Sequence, residues 1–245
     1  MQKKLFLFLC LCLLSSPLQA KELVIGTDTN FMPFEFKQGD RYVGFDIDLW
    51  AAIAKELGLT YRLQPMDFNG LIPALQTGNI DVGLAGMTIK PQRQKVVDFS
   101  RPYYQAGLKI MVRESEGAIT KLKDLQTKRV AVKLGTTSAD FIKCKAKKVR
   151  LFPQIEGAYM ELVMGGVDAV IYDLPALEYY ANNIGKGRVK LVGPLYDGES
   201  YGIAFPKGSP LRAKVDRALG KMMKNGVYAK LYKKWFGRAP KNQAP

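Results

Sequence analysis

The stretch NIDVGLAG (residues 79–86) decides the fold once it is compared with VDAVIYD (residues 167–173). Each stretch follows a glycine that would end a helix, and each contains an aspartate followed by a short apolar run. Polar groups come directly after each run: Gly86 and Thr88 in the first, Asp173 in the second. Ligands of open α/β sheets bind outside the carboxyl ends of the strands. The two units therefore predict two lobes that face each other across a cleft.

Short apolar strands alternate with amphipathic helices along the rest of the chain. In FDIDLWAAIAKELG (residues 45–58) the apolar side chains recur on one helical face, with Asp46 as the expected N-cap and Gly58 as the expected stop. Alternation of this kind is typical of mostly parallel sheets covered by helices, so the predicted fold class is α/β.

Two segments rich in Gly, Pro and Ser are candidates for the connections between the lobes. These segments are SRPYYQAG (residues 100–107) and YDGESYG (residues 196–202). If both segments run from one lobe to the other, the second lobe (residues 107–199) is inserted in the first lobe. The first lobe then comprises residues 21–106 and 200–245. Two connections would define a hinge axis.

The N-terminus has the pattern of an export signal. Lys3 and Lys4 precede an apolar run of ten residues, and SSPLQA provides a small-residue cleavage site after Ala20. The run is about half of the roughly 20 residues that a membrane helix needs. A short membrane anchor and a lipid-attachment cysteine within the run are the less favoured alternatives. The prediction is a signal peptide over residues 1–20 and a mature protein in the periplasm.

Composition excludes several classes of active site. The chain contains no histidine, which removes His-based triads, His general bases and His metal ligands. No carboxylate cluster has EF-hand spacing. Cys144 is the one cysteine outside the signal, and we expect it to be a partly buried helix residue without a disulfide. The prediction is a binding protein without a cofactor or metal, not an enzyme.

The net charge of +15 permits contact with nucleic acid or anionic lipid. The basic residues are nevertheless spread along the chain, and export makes a nucleic-acid partner improbable.

The polar residues after the two strands would suit an α-amino acid. Arg93 could bind the carboxylate through two parallel charge-assisted hydrogen bonds, and Asp173 could bind the ammonium. Thr88 offers a backbone N–H and a hydroxyl, and Gly86 lets its carbonyl approach closely. Taken alone, Arg93 fits an exposed helix position better, and Asp173 equally suits the N-cap of the helix that begins near Pro175.

Four motifs extend the argument to nearly all of residues 22–237: TDTNFMPFEF, MDFNGLIPALQTGNIDVGLAG, AYMEL and YGIAFPKGS. They resemble the polar amino-acid-binding proteins, and in particular the periplasmic glutamine-binding proteins of ABC importers. The resemblance implies a type II periplasmic-binding-protein fold, in which two lobes joined by a two-segment hinge close on one amino acid. It also implies a monomer whose partner is an ABC permease in the inner membrane.

The resemblance also implies roles for individual residues. It assigns Arg93 and the N–H groups of Thr88 and Thr137 to the ligand carboxylate, and Gly86, Thr88 and Asp173 to the ammonium. It further implies that Phe31 and Phe68 enclose the ligand stem and that Ala85 lines the site. Asp28 and Lys133 would contact the ligand side chain. Without the resemblance, the two phenylalanines would be read as core residues and Lys133 as a surface lysine.

Two positions depart from the glutamine-binding pattern. Tyr172 replaces a histidine before Asp173, and Thr137 replaces a glycine, which makes GTT resemble the binders of basic amino acids. A carboxamide would still satisfy both Asp28, an acceptor, and Lys133, a donor. L-glutamine is therefore the predicted ligand, with arginine, lysine or histidine as the alternative. An enzyme resembling the cyclohexadienyl dehydratases is the rival from another class, with Asp28 as its acid.

Overall fold

A computed structural model describes residues 21–240, so the predicted signal peptide lies outside the described part of the chain. The strands are, in chain order, β1 (Leu23–Thr27), β2 (Asn30–Phe31), β3 (Glu35–Gln38), β4 (Arg41–Val43), β5 (Tyr61–Pro65), β6 (Val82–Gly83), β7 (Val97–Phe99), β8 (Tyr104–Arg113), β9 (Arg129–Lys133), β10 (Lys148–Phe152), β11 (Ala169–Asp173), β12 (Val189–Tyr201) and β13 (Ala204–Pro206).

The helices are α1 (Phe45–Leu57), α2 (Leu71–Thr77), α3 (Pro91–Gln94), α4 (Thr137–Ile142), α5 (Ile155–Val163), α6 (Leu174–Asn182), α7 (Pro210–Lys224) and α8 (Val227–Phe236). Short 3₁₀ turns cover Phe68–Gly70 and Leu122–Leu125. Cys144 follows α4 and is exposed, so its expected partly buried place on a helix is wrong.

The described strands form two five-stranded sheets, one for each lobe, and a small three-stranded sheet. The first has the order β5-β1-β6-β13-β7, and the second has the order β10-β9-β11-β8-β12. Parallel pairing joins β1 to β5 and β6, and β9 to β10 and β11. Strands β13 and β8 run antiparallel to their neighbours, so both sheets are mixed. This is the predicted α/β two-lobe fold.

The predicted crossing segments pair with each other. Strand β8 begins at Tyr104 and β12 ends at Tyr201, and these two residues are direct partners in an antiparallel ribbon. The register of β12 shifts twice between Val192 and Glu199. The connection between the lobes is thus a two-stranded ribbon. The proposed lobe boundaries, 106/107 and 199/200, fall within it.

Aromatic side chains pack around this ribbon. The rings of Tyr104 and Tyr201 stack with their centroids 5.6 Å apart, and Tyr232 of α8 stacks on Tyr104 at 5.7 Å. Phe34 meets Tyr104 edge-on at 4.9 Å. Stacked and edge-on pairs each add about 0.5–1.5 kcal/mol beyond the burial of area. The C-terminal helix therefore anchors the ribbon to the first lobe.

Two local predictions are wrong for identifiable reasons. Helix α1 buries its apolar face as expected, but Gly44 is its N-cap and Asp46 is fully buried inside the protein. The local sequence predicts a helix through PQRQKVV (residues 91–97), but the helix ends at Gln94 because Val97 begins β7 and pairs with β13. Tertiary pairing overrides the local helical pattern at that point.

Candidate functional site

The loops at the strand ends gather the predicted binding residues around one cleft. Its lining includes every predicted site residue except Lys133, together with Thr136: Asp28, Phe31, Phe68, Ala85, Gly86, Thr88, Arg93, Thr136, Thr137, Tyr172 and Asp173. In the first lobe, Asp28 follows β1 and the segment 85–88 follows β6, while Phe31 lies in β2, Phe68 in a 3₁₀ turn and Arg93 in α3. In the second lobe, Thr136 and Thr137 follow β9, and Tyr172 and Asp173 end β11. The carboxyl ends of both sheets thus meet at the cleft, as expected for this class of fold.

Arg93 lies at one end of the cleft. Its guanidinium donates from Nη1 to the carbonyl oxygen of Thr88 (2.9 Å) and from Nη2 to that of Gly135 in the other lobe (3.1 Å). The same group lies 5.4 Å from the centroid of the Phe68 ring. Because it is half-buried and faces the cleft, Arg93 does not have the exposed helix position that its local sequence suggested.

Asp173 ends β11 and precedes α6. It occupies the N-cap position of that helix, but its side chain makes no capping hydrogen bond. It accepts a hydrogen bond from the hydroxyl of Tyr201 and is 6% exposed. The carboxylate therefore belongs to the cleft and not to the end of the helix.

Gly86 has a backbone that only glycine adopts readily here, with φ at 51°. A Cβ built on it would lie 2.2 Å from Cε1 of Phe31. Phe31 is itself fixed, because its ring stacks on Phe34 at 4.8 Å and meets Tyr172 edge-on at 5.7 Å. Glycine thus lets the backbone approach the aromatic wall of the cleft.

Asp28 and Lys133 form an ion pair between the lobes. Lys133 is fully buried and Asp28 is 1% exposed, so the surface-lysine interpretation of Lys133 is wrong. The backbone N–H of Asn30 also donates to Oδ1 of Asp28 (3.3 Å). Breaking one side of such a buried pair typically costs about 3–5 kcal/mol, because the remaining charge is left without compensation.

The cleft is closed tightly, with a cavity of about 10 Å³. That is roughly the room of a single water molecule. Larger cavities, of about 310, 360 and 450 Å³, lie elsewhere among the described residues. The charged side chains of the cleft, and not its volume, therefore identify it as the candidate site. An amino acid can enter only when the two lobes separate.

Two buried acids lie behind Gly86. Oδ2 of Asp46 accepts hydrogen bonds from the Gly86 N–H (3.0 Å) and from the Tyr103 hydroxyl (2.7 Å). Burial raises the pKa of Asp46 to about 6, against the opposing effect of these bonds. Burial, reinforced by Asp46 and Asp28, raises the pKa of Glu35 well above its usual value. Both carboxyl groups therefore hold their protons to a higher pH than exposed carboxyl groups do.

Sequence reasoning missed three residues of this region. Gly135 and Thr136 are part of the GTT segment in which only Thr137 was identified, so proximity in sequence could have found them. Tyr201 lies in a segment that was interpreted as a strand, and nothing local indicated that its hydroxyl would reach Asp173. Among residues 21–240 no cluster of side chains could hold a metal ion, and no helix is long and apolar enough to span a bilayer.

Comparison with known proteins agrees with this geometry. The chain matches the bacterial extracellular solute-binding proteins, family 3, over residues 23–238. The arginine-binding extracellular protein ArtP of Bacillus subtilis is 37% identical over 227 residues, which cover 88% of this chain and 86% of ArtP. An ancestral arginine-binding protein bound to arginine has a TM-score of 0.85 at 47% identity, with 88% of this chain and 98% of that chain covered. An ancestral arginine-binding protein bound to glutamine has a TM-score of 0.83 at 49% identity, with 89% and 98% covered.

Proposed function

The chain belongs to family 3 of the bacterial extracellular solute-binding proteins, and on that premise we propose that it captures L-glutamine in its cleft and delivers it to an ABC importer. It is an amino-acid-binding protein, and its relatives serve transport. We propose a periplasmic location, a monomeric state and a permease of the inner membrane as its partner. The choice of glutamine rests on one observation, the buried ion pair of Asp28 and Lys133.

The invariant part of an amino acid would bind at the end of the cleft near Arg93. We propose that Arg93 and the N–H groups of Thr88 and Thr137 bind the ligand carboxylate, and that Asp173, Thr88 and the Gly86 carbonyl bind the ammonium. The orientation of Arg93 toward the cleft supports the first assignment. The burial of Asp173 and the absence of a capping bond support the second. A planar guanidinium and a carboxylate form a strong bidentate pair.

The ligand side chain would then meet the ion pair of Asp28 and Lys133, whose opposite charges cancel. A carboxamide can donate N–H to Asp28 and accept from Lys133 while the two remain close to each other. Arginine would pair with Asp28 but would set its own cation against the buried ammonium of Lys133. Glutamate would suit Lys133 but would oppose Asp28. Each mismatch leaves a charge poorly compensated in a closed cleft, so it should cost affinity.

Arginine is the second candidate, because ArtP is named for arginine and the GTT segment resembles the binders of basic amino acids. The ancestral relative bound to glutamine shows that a similar protein accepts a carboxamide side chain. We propose no catalytic activity, since Asp28, the acid of the dehydratase alternative, is engaged by Lys133. Incubation with prephenate or arogenate should yield no aromatic product.

Calorimetry with glutamine, arginine, lysine, histidine and glutamate tests the proposal. Glutamine should bind most tightly to the native protein. Lys133→Leu should shift the preference toward arginine or lysine, because it removes the opposing cation. Lys148→Leu, at an exposed position of β10, is the matched control and should change nothing. If arginine binds the native protein more tightly than glutamine, the assignment of the Asp28–Lys133 pair to the ligand side chain is wrong.

A further inference from the structure

The last two helices, α7 and α8, concentrate the positive charge of the chain. Residues 210–240 contain nine lysines or arginines and one acid, so this segment contributes +8 of the net charge of +15. Both helices pack one face against the first lobe. Eight of the nine cations are exposed. The solvent-facing side of this part of the first lobe is therefore strongly cationic.

Four exposed cations of α7 form a stripe, which we call the basic face. They are Lys214, Arg217, Lys221 and Lys224. Their spacing of three, four and three residues places them on one side of the helix. The side chains of this stripe therefore present their charges in one direction.

The basic face borders a shallow, open depression of about 450 Å³. Four of its six lining residues are cations and none is an acid: Arg101, Arg217, Gly220, Lys221, Lys224 and Asn225. Cations from α7 and from the segment after β7 thus converge on one spot of the surface.

The one acid of α7, Asp216, holds Arg101 in this depression. Nη2 of Arg101 donates to Oδ2 of Asp216 (2.9 Å), and the backbone N–H of Arg101 donates to Oδ1 (2.6 Å). The guanidinium lies against Gly220, where a Cβ would be 2.4 Å from Nη1. Glycine leaves room for this contact, so Arg101 is fixed before any partner arrives.

Acids of the protein compensate only two of the four cations around the depression. Arg101 pairs with Asp216, and Lys221 pairs with Glu56 of α1. Neither Arg217 nor Lys224 forms an ion pair with any residue of the described range 21–240. The depression therefore retains two uncompensated positive charges, which would attract an anionic partner.

The kinds of cation on these helices favour a lipid surface over a protein as that partner. Protein interfaces are depleted in lysine and enriched in arginine and aromatic side chains, whereas six of the eight exposed cations here are lysines. Lysine is a compact point charge. Clusters of about four to eight basic residues on an amphipathic helix are typical of attraction to anionic headgroups.

We propose that the basic face docks on a bilayer surface rich in anionic phospholipid. Headgroup phosphates approach the depression beside Arg217 and Lys224, where the positive charge is uncompensated. The depression and the amino-acid cleft share no lining residue, so docking leaves the cleft free. In the proposed periplasmic location, docking would concentrate the protein beside the membrane that holds its importer.

Flotation of the full protein with lipid vesicles tests the proposal. Vesicles of an equal mixture of phosphatidylcholine and phosphatidylglycerol are compared with vesicles of phosphatidylcholine alone. We expect binding to the mixed vesicles and none to the neutral ones. Binding should be lost between about 0.1 and 1 M salt, because the Debye length falls from about 10 to about 3 Å.

Reversal of two charges locates the contact. Each cation near an anionic surface strengthens binding by a factor of about five, so Arg217→Glu combined with Lys224→Glu should weaken binding at least about 25-fold. The matched control combines Lys147→Glu with Lys148→Glu, two exposed positions of the second lobe. It changes the net charge by the same amount and should lose far less. Circular dichroism verifies that both double variants are folded.

Several outcomes would overturn the proposal. The absence of binding to the mixed vesicles is one, and equal binding to the neutral vesicles is another. Equal losses in the two double variants would indicate a response to net charge alone. Binding of polyaspartate without binding of the mixed vesicles would assign the basic face to an acidic protein. Loss of vesicle binding in inorganic phosphate, but not in chloride of the same ionic strength, would instead indicate a site for free phosphate.

Discussion

The buried acid behind Gly86 should make the stability of the protein depend on pH in a way that one substitution removes. Burial raises the pKa of Asp46 from 3.8 to about 6. In the unfolded chain the carboxyl loses its proton near pH 4, while the folded protein still holds it. The free energy of unfolding should therefore decrease as the pH rises from about 4 to about 6, and then stay level. A shift of about two pKa units corresponds to about 3 kcal/mol.

Asp46→Asn should abolish this decrease. The amide oxygen can still accept from the Gly86 N–H and the Tyr103 hydroxyl, and the amide nitrogen can donate to Glu35. We expect the variant to match the native protein near pH 4 and to exceed it by up to about 3 kcal/mol at pH 7. Urea unfolding at intervals from pH 4 to pH 8 measures the difference. Glu56→Gln, on the exposed face of the same helix, is the control and should run parallel to the native curve. If the Asp46→Asn curve also runs parallel, the carboxyl of Asp46 is not perturbed by burial and the reasoning fails.

Three further predictions concern the cleft. Arg93→Ala should weaken amino-acid binding by roughly 30-fold or more in calorimetry, because removal of one partner of a buried charge pair typically costs about 2–5 kcal/mol. The melting temperature of this variant without ligand should hardly change. Arg62→Ala, at an exposed position, is the control. Gly86→Ala should reduce binding at least as strongly, since its Cβ would meet Phe31 at 2.2 Å and its φ of 51° disfavours alanine; unchanged affinity would contradict the close approach described here. In small-angle scattering, saturating ligand should reduce the radius of gyration toward the roughly 17 Å expected for a compact chain of this size, and an identical profile with and without ligand would argue against closure.

The site was more predictable than the surroundings that support it. Gly86, Arg93 and Asp173 follow buried strands, and the rule that ligands bind at carboxyl ends places them together without any knowledge of side-chain contacts. Asp28 and Lys133 were identified through resemblance alone. That they pair with each other depends on the meeting of two lobes, which no local pattern encodes.

Asp46 shows why the rest could not be predicted. Within FDID it has the local features of an N-cap, and its real partners, Gly86 and Tyr103, lie 40 and 57 residues away. The two segments that connect the lobes were predicted, but their pairing into one ribbon was not, for the same reason. Gly, Ser and Asp in YDGESYG favour a loop locally, but pairing with β8 keeps this segment in a strand.

The place of β13 in the first sheet has a consequence for the order in which the protein can form during secretion. β13 (Ala204–Pro206) lies between β6 and β7, whereas the whole second sheet comes from the continuous stretch 104–201. A chain that emerges N-terminus first has therefore delivered every strand of the second sheet before β13 is available. Until then β6 and β7 each lack a neighbour, and unpaired strand edges promote aggregation. The first lobe begins to be synthesised first but its sheet is completed last. Before β13 is available, the exposed edges of β6 and β7 are the part of the chain that most needs protection by a chaperone.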